Sequence, residues 1–201
     1  MKVIGKLCLL AFLISLLSCK DKKENNSSDD SELRYQYFRM ADNGWKSRKY
    51  SQNVDDIAFT ATQVPLQYYI LKEIGAENLH AVDSVYKENE RERIIEFEFY
   101  QDDEQDLLKE KFTGLDYTES VKYMSFSLEK DFYAVTSKKD TIPCSGLTFE
   151  RNFKIAPYHK VILFFTNIDP NDDIQLVYHD KLFKKGILKF NLSEKITKPK
   201  L

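Results

Sequence analysis

A two-residue hydrophobic period runs through much of this 201-residue chain and constrains its fold more than any other feature. Ile95, Phe97 and Phe99 stand on one side of the backbone, with Glu96 and Glu98 on the other. Successive side chains of a β-strand point to opposite faces, so this alternation predicts a strand with one face buried. Leu33, Tyr35 and Tyr37 alternate in the same way, as do Met124, Phe126 and Leu128. So do Leu147, Phe149 and Phe153, with Arg151 on their side, then residues 174–178, and then Leu188, Phe190 and Leu192. Residues 161–165 are apolar without interruption, the pattern of a strand buried on both faces. Lys138-Lys139-Asp140, Asp169-Pro170-Asn171-Asp172 and Lys184-Lys185-Gly186 supply turns between these segments.

Helical signals are sparser. Pro65 and Gly75 bracket residues 66–74 as a helix start and stop. Val64, Leu66, Tyr68 and Ile70 also alternate, which leaves helix and strand both open there. Leu79, Val82 and Tyr86 have helical spacing within residues 77–90, and Asp102 or Asp103 is placed to cap a short helix through Leu108 and Lys111. The expected architecture is mainly β: a single β-sandwich of seven or more strands over residues 33–192, with one to three short helices. A basic tail, residues 193–201, follows. The last 45 residues resemble the closing strands of immunoglobulin-like lipoprotein domains, and this resemblance implies an immunoglobulin-like sandwich.

The N-terminus reads as an address. Lys2 and Lys6 make a positive start, and residues 7–17 are apolar apart from Ser15. That run is short for a membrane span, which needs roughly 20 residues, and suits the core of a signal peptide. Leu16-Leu17-Ser18-Cys19 resembles the lipobox of bacterial lipoproteins. The resemblance implies removal of residues 1–18 and a covalent lipid on Cys19. Lys20, where enteric lipoproteins retained at the inner membrane carry Asp, points by the same resemblance to the outer membrane, on its periplasmic or surface side. Residues 20–32 contain no apolar side chain and read as a tether from the lipidated Cys19 to the domain. Two or three acyl chains hold a protein on a bilayer, where one chain does so only marginally.

Charge and motif content exclude several function classes. The formal net charge is −2, and the only basic residues before Cys19 are Lys2 and Lys6, so a processed chain is more acidic still. That gives no electrostatic footprint for nucleic acid. No two of the six glycines are close enough for a dinucleotide fingerprint or a phosphate loop. Zinc spacings and a serine nucleophile elbow are also absent, and no cofactor other than the lipid is indicated. With Cys8 removed and Cys19 lipidated, Cys144 remains as a lone thiol and reads as a small buried apolar group.

A few residues stand out as candidates for contact or chemistry. Alternation places Arg151 toward the core, where a guanidinium needs either an ion-pair partner or a ligand. Tyr68, Tyr69, Tyr100, Tyr117 and Tyr123 fall off the core positions and are candidates for a contact surface. Asp169, Asn171, Asp172 and Asp173 gather oxygen ligands of the kind Ca²⁺ takes, although the stretch reads first as a solvated turn. His159 and His179 sit at expected strand ends, where a histidine with a carboxylate makes an acid–base pair or a metal site, although surface or edge histidines are far commoner. The function expected is a non-catalytic binding or assembly role in the cell envelope, with an envelope protein or a polysaccharide as partner. A hydrolase or metal-dependent enzyme acting on envelope polymers is one alternative, and an inhibitor or immunity-type lipoprotein is another.

Overall fold

Nine strands in two antiparallel sheets form the framework of the computed structural model, which describes residues 47–75, 78–151 and 158–193. In chain order they are β1 (Arg48–Val54), β2 (Ile57–Val64), β3 (Arg93–Gln101), β4 (Phe132–Thr136), β5 (Thr141–Pro143), β6 (Gly146–Glu150), β7 (Tyr158–Phe165), β8 (Ile174–Asp180) and β9 (Gly186–Leu192). One sheet has the order β1-β2-β3-β7-β6 and the other β5-β4-β8-β9. The chain changes sheet after β3, β5 and β7, so the strands of each sheet come from separate stretches of sequence.

The alternation explains the core. Ile57, Phe59 and Ala61 of β2 and Ile95, Phe97 and Phe99 of β3 bury the same face. They join Phe132 and Ala134 of β4, Leu176 and Tyr178 of β8, and Leu188 and Phe190 of β9 in one cluster. Phe97 is its centre. Its ring lies 5.0 Å from Phe99 and from Phe132, 5.1 Å from Phe190 and 5.5 Å from Tyr178, all at steep angles. Such edge-to-face pairs add to the area term because a ring's positive edge meets its neighbour's negative face.

Turn residues match the backbone they must adopt. Asp55 and Asp56 close the β1–β2 hairpin, with Asp55 at φ 52°. Lys139 and Lys184 take similar left-handed conformations, and Gly186 at φ 85° opens β9. Between β8 and β9, Asp180 organises the connection from below. Its Oδ1 accepts Tyr178 Oη (2.8 Å) and the Phe183 amide (2.9 Å), and its Oδ2 accepts the Lys185 amide (2.9 Å).

Four α-helices occur among the described residues, more than the one to three expected: α1 (Leu66–Ile74), α2 (Val82–Glu88), α3 (Glu110–Thr113) and α4 (Tyr117–Phe126). Residues 66–74 are helical, with Pro65 and Gly75 at their ends. The alternation of Met124, Phe126 and Leu128 does not make a strand. Met124 and Leu128 are also four residues apart, and both are fully buried, Met124 on α4 and Leu128 in the 3₁₀ turn after it, while Phe126 is 79% exposed. The Asp116 side chain accepts the Glu119 amide (2.8 Å) and starts α4, a cap that a strand reading overlooks. The helix expected from Asp102 or Asp103 shrinks to α3, because Asp106 Oδ1 takes the Leu108 amide in a turn instead. The expected strand at Leu33–Tyr37 and the position of Phe153 lie outside the described residues, as do Cys19, the tether and residues 194–201 of the tail.

Candidate functional site

The outward side of β3 and β7 carries a set of polar side chains that the fold collects from distant parts of the chain. Glu96, Glu98 and Tyr100 alternate with the buried phenylalanines of β3, and Tyr158 and Lys160 take the matching positions of β7. Lys160 Nζ lies 2.7 Å from Glu150 Oε2 on β6 and 3.8 Å from Glu96 Oε2. Burial pulls the Lys160 ammonium down, but the Glu150 hydrogen bond and the Glu96 charge outweigh it and leave its pKa raised. Burial raises the Glu98 carboxyl above its ordinary value.

Helix α1 brings aromatic rings to this face. Tyr69 Oη donates to Glu96 Oε1 at 2.5 Å, and the Tyr68 and Tyr69 rings meet edge to face with centroids 5.4 Å apart. Burial and then the Glu96 hydrogen bond push the Tyr69 phenol well up, so it stays a donor. Arg151, with Glu150, Tyr158 and Lys160, lines a shallow cavity of about 310 Å³. Four of the six candidate contact residues, Tyr68, Tyr69, Tyr100 and Arg151, are therefore associated with one sheet side. Tyr117 and Tyr123 are not: both belong to α4, and Tyr123 Oη donates to the buried Asp131 carboxylate at 2.5 Å.

Arg151 does not face the core. β6 ends at Glu150, the alternation is not continued, and Arg151 is exposed. Among the described residues the core-facing arginines are Arg48 and Arg93, which the sequence reading passed over. Arg93 opens the inward series Arg93, Ile95, Phe97, Phe99, so the alternation rule applied to Arg151 identifies Arg93 instead. Arg48 lies opposite Gln63 on β2. Both arginines are buried and both line a cavity of about 380 Å³ where β1 and β3 begin and β2 ends.

The Asp169–Asp173 stretch belongs to these arginines. Arg48 Nη1 donates to the Asp172 carbonyl (3.1 Å), and its Nη2 lies 3.1 Å from Asp173 Oδ1. Arg93 donates to the Asp169 carbonyl and to the carbonyls of Glu90 and Glu92. Asn171 donates its amide to Asp169 Oδ1. No group of three or more histidine, cysteine or acidic side chains among the described residues is placed to hold a metal.

His159 is buried beside Asp106, with Nε2 and Oδ1 3.0 Å apart, and His179 is exposed on β8, so the two histidines do not meet. Neither His159 nor Asp106 lines the cavities described here. Burial holds the imidazole pKa below its ordinary value, against an opposing pull from Asp106. The folded state then binds fewer protons than the unfolded one, whose histidine titrates near pH 6.5. His159 therefore contributes stability that is complete above about pH 6.5 and is lost as pH falls from there through the depressed folded value. His159→Gln is expected to flatten the pH dependence of unfolding between about pH 5 and 7, measured by urea titration. Glu98, shifted the other way, cancels in the comparison, and an unchanged slope would refute the assignment. Cys144 is buried, and burial pushes its thiol up, so it has little thiolate for chemistry.

Comparison with protein-family models and with curated proteins gives no match. A solved structure, described as a novel protein of unknown function from Burkholderia pseudomallei K96243, aligns over 81% of this chain and 86% of that one. Its identity is 10% and the TM-score 0.40.

Proposed function

We propose that the chain is a lipid-anchored protein of the bacterial outer membrane with a non-catalytic binding role, built on an immunoglobulin-like sandwich. The strand order supports the fold reading. β2-β3-β7-β6 follows the A-B-E-D order of such domains and β4-β8-β9 the C-F-G order, with β1 and β5 as added edges. The lipobox-like Leu16-Leu17-Ser18-Cys19 supports the anchor. No helix among the described residues is long and apolar enough to cross a membrane.

The observation that carries the binding role is the convergence of Tyr68, Tyr69, Tyr100 and Arg151 with Glu96, Glu150 and Lys160 on one sheet side. Aromatic rings with fixed polar tips give contact area at low entropic cost, and they suit a protein surface or the faces of sugar rings. The partner is an envelope protein or polysaccharide.

Two measurements test this reading. Metabolic labelling with palmitate should mark the wild type and fail on Cys19→Ser, with release of the variant from membranes; labelling that persists in Cys19→Ser removes the anchor. Crosslinking of intact cells should recover a specific partner with the wild type and much less with Tyr69→Ala. Equal recovery removes the face.

A further inference from the structure

We propose that the cavity between Arg48 and Arg93 is a binding site for a small monocarboxylate with an apolar body, such as an acylated amino acid. The arginine end of the site lies apart from the tyrosine-bearing face, and Tyr69 lines the apolar cavity that adjoins it; the small-ligand test needs neither lipidation nor a macromolecular partner.

Three features make the cavity a site. Its volume of about 380 Å³ falls within the range of small-molecule pockets. Its polar wall is concentrated where the fold is otherwise apolar: Arg48, Gln63, Gln67 and Arg93 are all buried. Two guanidiniums brought together at the end of a hydrophobic core cost stability unless something offsets their charge.

The partners the chain supplies leave that charge incompletely offset. Arg93 is held by three backbone carbonyls, which fix the plane of its guanidinium without neutralising it, and no carboxylate pairs with it among the described residues. Burial weakens its hold on its proton, and the nearby Arg48 adds to this against an opposing pull from Tyr86, Asp169 and Asp172. Among the described residues Arg48 has one carboxylate, Asp173, but that side chain is 58% exposed and screened by solvent. Arg48 Nε and Gln63 Oε1 are buried without partners, so the wall's own polar capacity is unused.

The chemistry of the lining selects the ligand. Asp173 Oδ1 already shows that a carboxylate oxygen fits against Arg48. A guanidinium takes a carboxylate through two parallel hydrogen bonds, a geometry a lysine cannot reproduce. Glu92 and Asp173 also line the cavity, and their charges disfavour a dianion such as phosphate. Val64, Pro65 and Leu66 form the apolar wall, and beyond Leu66 and Glu92 a second, more apolar cavity of about 500 Å³ continues between α1, α2 and the outer side of Ile94. The acid group therefore seats on the arginines and the apolar body runs along α1.

The full chain in detergent, titrated with N-acetyl-L-leucine, its methyl ester and inorganic phosphate at constant ionic strength, tests this. The readouts are thermal stability and the arginine Nε–H resonances. N-acetyl-L-leucine should raise the melting temperature saturably and move two arginine resonances, and the ester should do neither. Arg93→Lys should weaken binding about tenfold or more, because the bidentate fork is lost. Asp173→Asn, at an exposed position that leaves the core intact, should tighten binding by freeing Arg48. The proposal is overturned if millimolar N-acetyl-L-leucine changes nothing, if the ester or phosphate binds as well, or if Asp173→Asn leaves the affinity unchanged. In those cases the arginines only clamp the β7–β8 turn.

Discussion

Phe97→Ala is expected to destabilise the protein by about 4 kcal/mol, within the range for truncating a buried aromatic residue. The ring is fully buried and touches Phe59, Phe99, Phe132, Tyr178 and Phe190, which come from both sheets. Removing it takes away transfer energy, opens a cavity and breaks five ring contacts at once. The surrounding strands are pinned by their hydrogen-bond ladders and can close the space only in part. A loss of that size is a large share of the roughly 5–15 kcal/mol available to a typical domain. Phe97→Leu should cost less than half as much, because most of the volume is kept. Phe126→Ala is the internal control: that ring is 79% exposed, and its loss should stay within about 0.5 kcal/mol. Guanidinium titration of the three variants decides the matter. Equal midpoints for Phe97→Ala and Phe126→Ala would show that the two sheets do not share this core.

Asp180→Ala is expected to cost about 3–5 kcal/mol by a different mechanism. The carboxylate is buried and satisfies three donors: the Tyr178 hydroxyl and the amides of Phe183 and Lys185. Alanine leaves those donors without acceptors where water has little access, and an unmet buried donor costs more than a made hydrogen bond contributes. The same arrangement keeps Tyr178 protonated, since burial and then the Asp180 charge push its phenol far up. Asp180→Asn retains one acceptor oxygen for Tyr178 and Phe183 and presents an amino group to Lys185, so it should lose roughly half as much. Hydrogen exchange offers a local readout. The Phe183 and Lys185 amides should lose protection in Asp180→Ala under conditions where β3 amides remain protected. If all amides change together, or none does, Asp180 is not a local clasp.

The strands that were legible were those whose apolar residues are large and strictly spaced. β3, β8 and β9 bury large side chains on every second residue, and β7 shows instead as the unbroken apolar run 161–165, of which Val161, Ile162, Leu163 and Phe165 are buried. β1 and β2 were harder to see. β1 shows few apolar residues, and the inward series of β2 ends in Ala61 and Gln63. α4 was misread because residues two apart and residues four apart coincide at Met124 and Leu128, and only packing against the core separates the two periods.

The sequence by itself determined the β-rich class, the turns and a polar-outside, apolar-inside division of the strands, because these depend on neighbours along the chain. It did not determine which polar residues would meet. Glu96 and Lys160 become neighbours only through the β3–β7 register, Arg48 and Arg93 only because β1 and β3 flank β2, and Arg151 left the core only because β6 stopped one residue short. Those outcomes are long-range pairings, and no local pattern encodes them; the tertiary structure decided where the contact face and the arginine pocket lie.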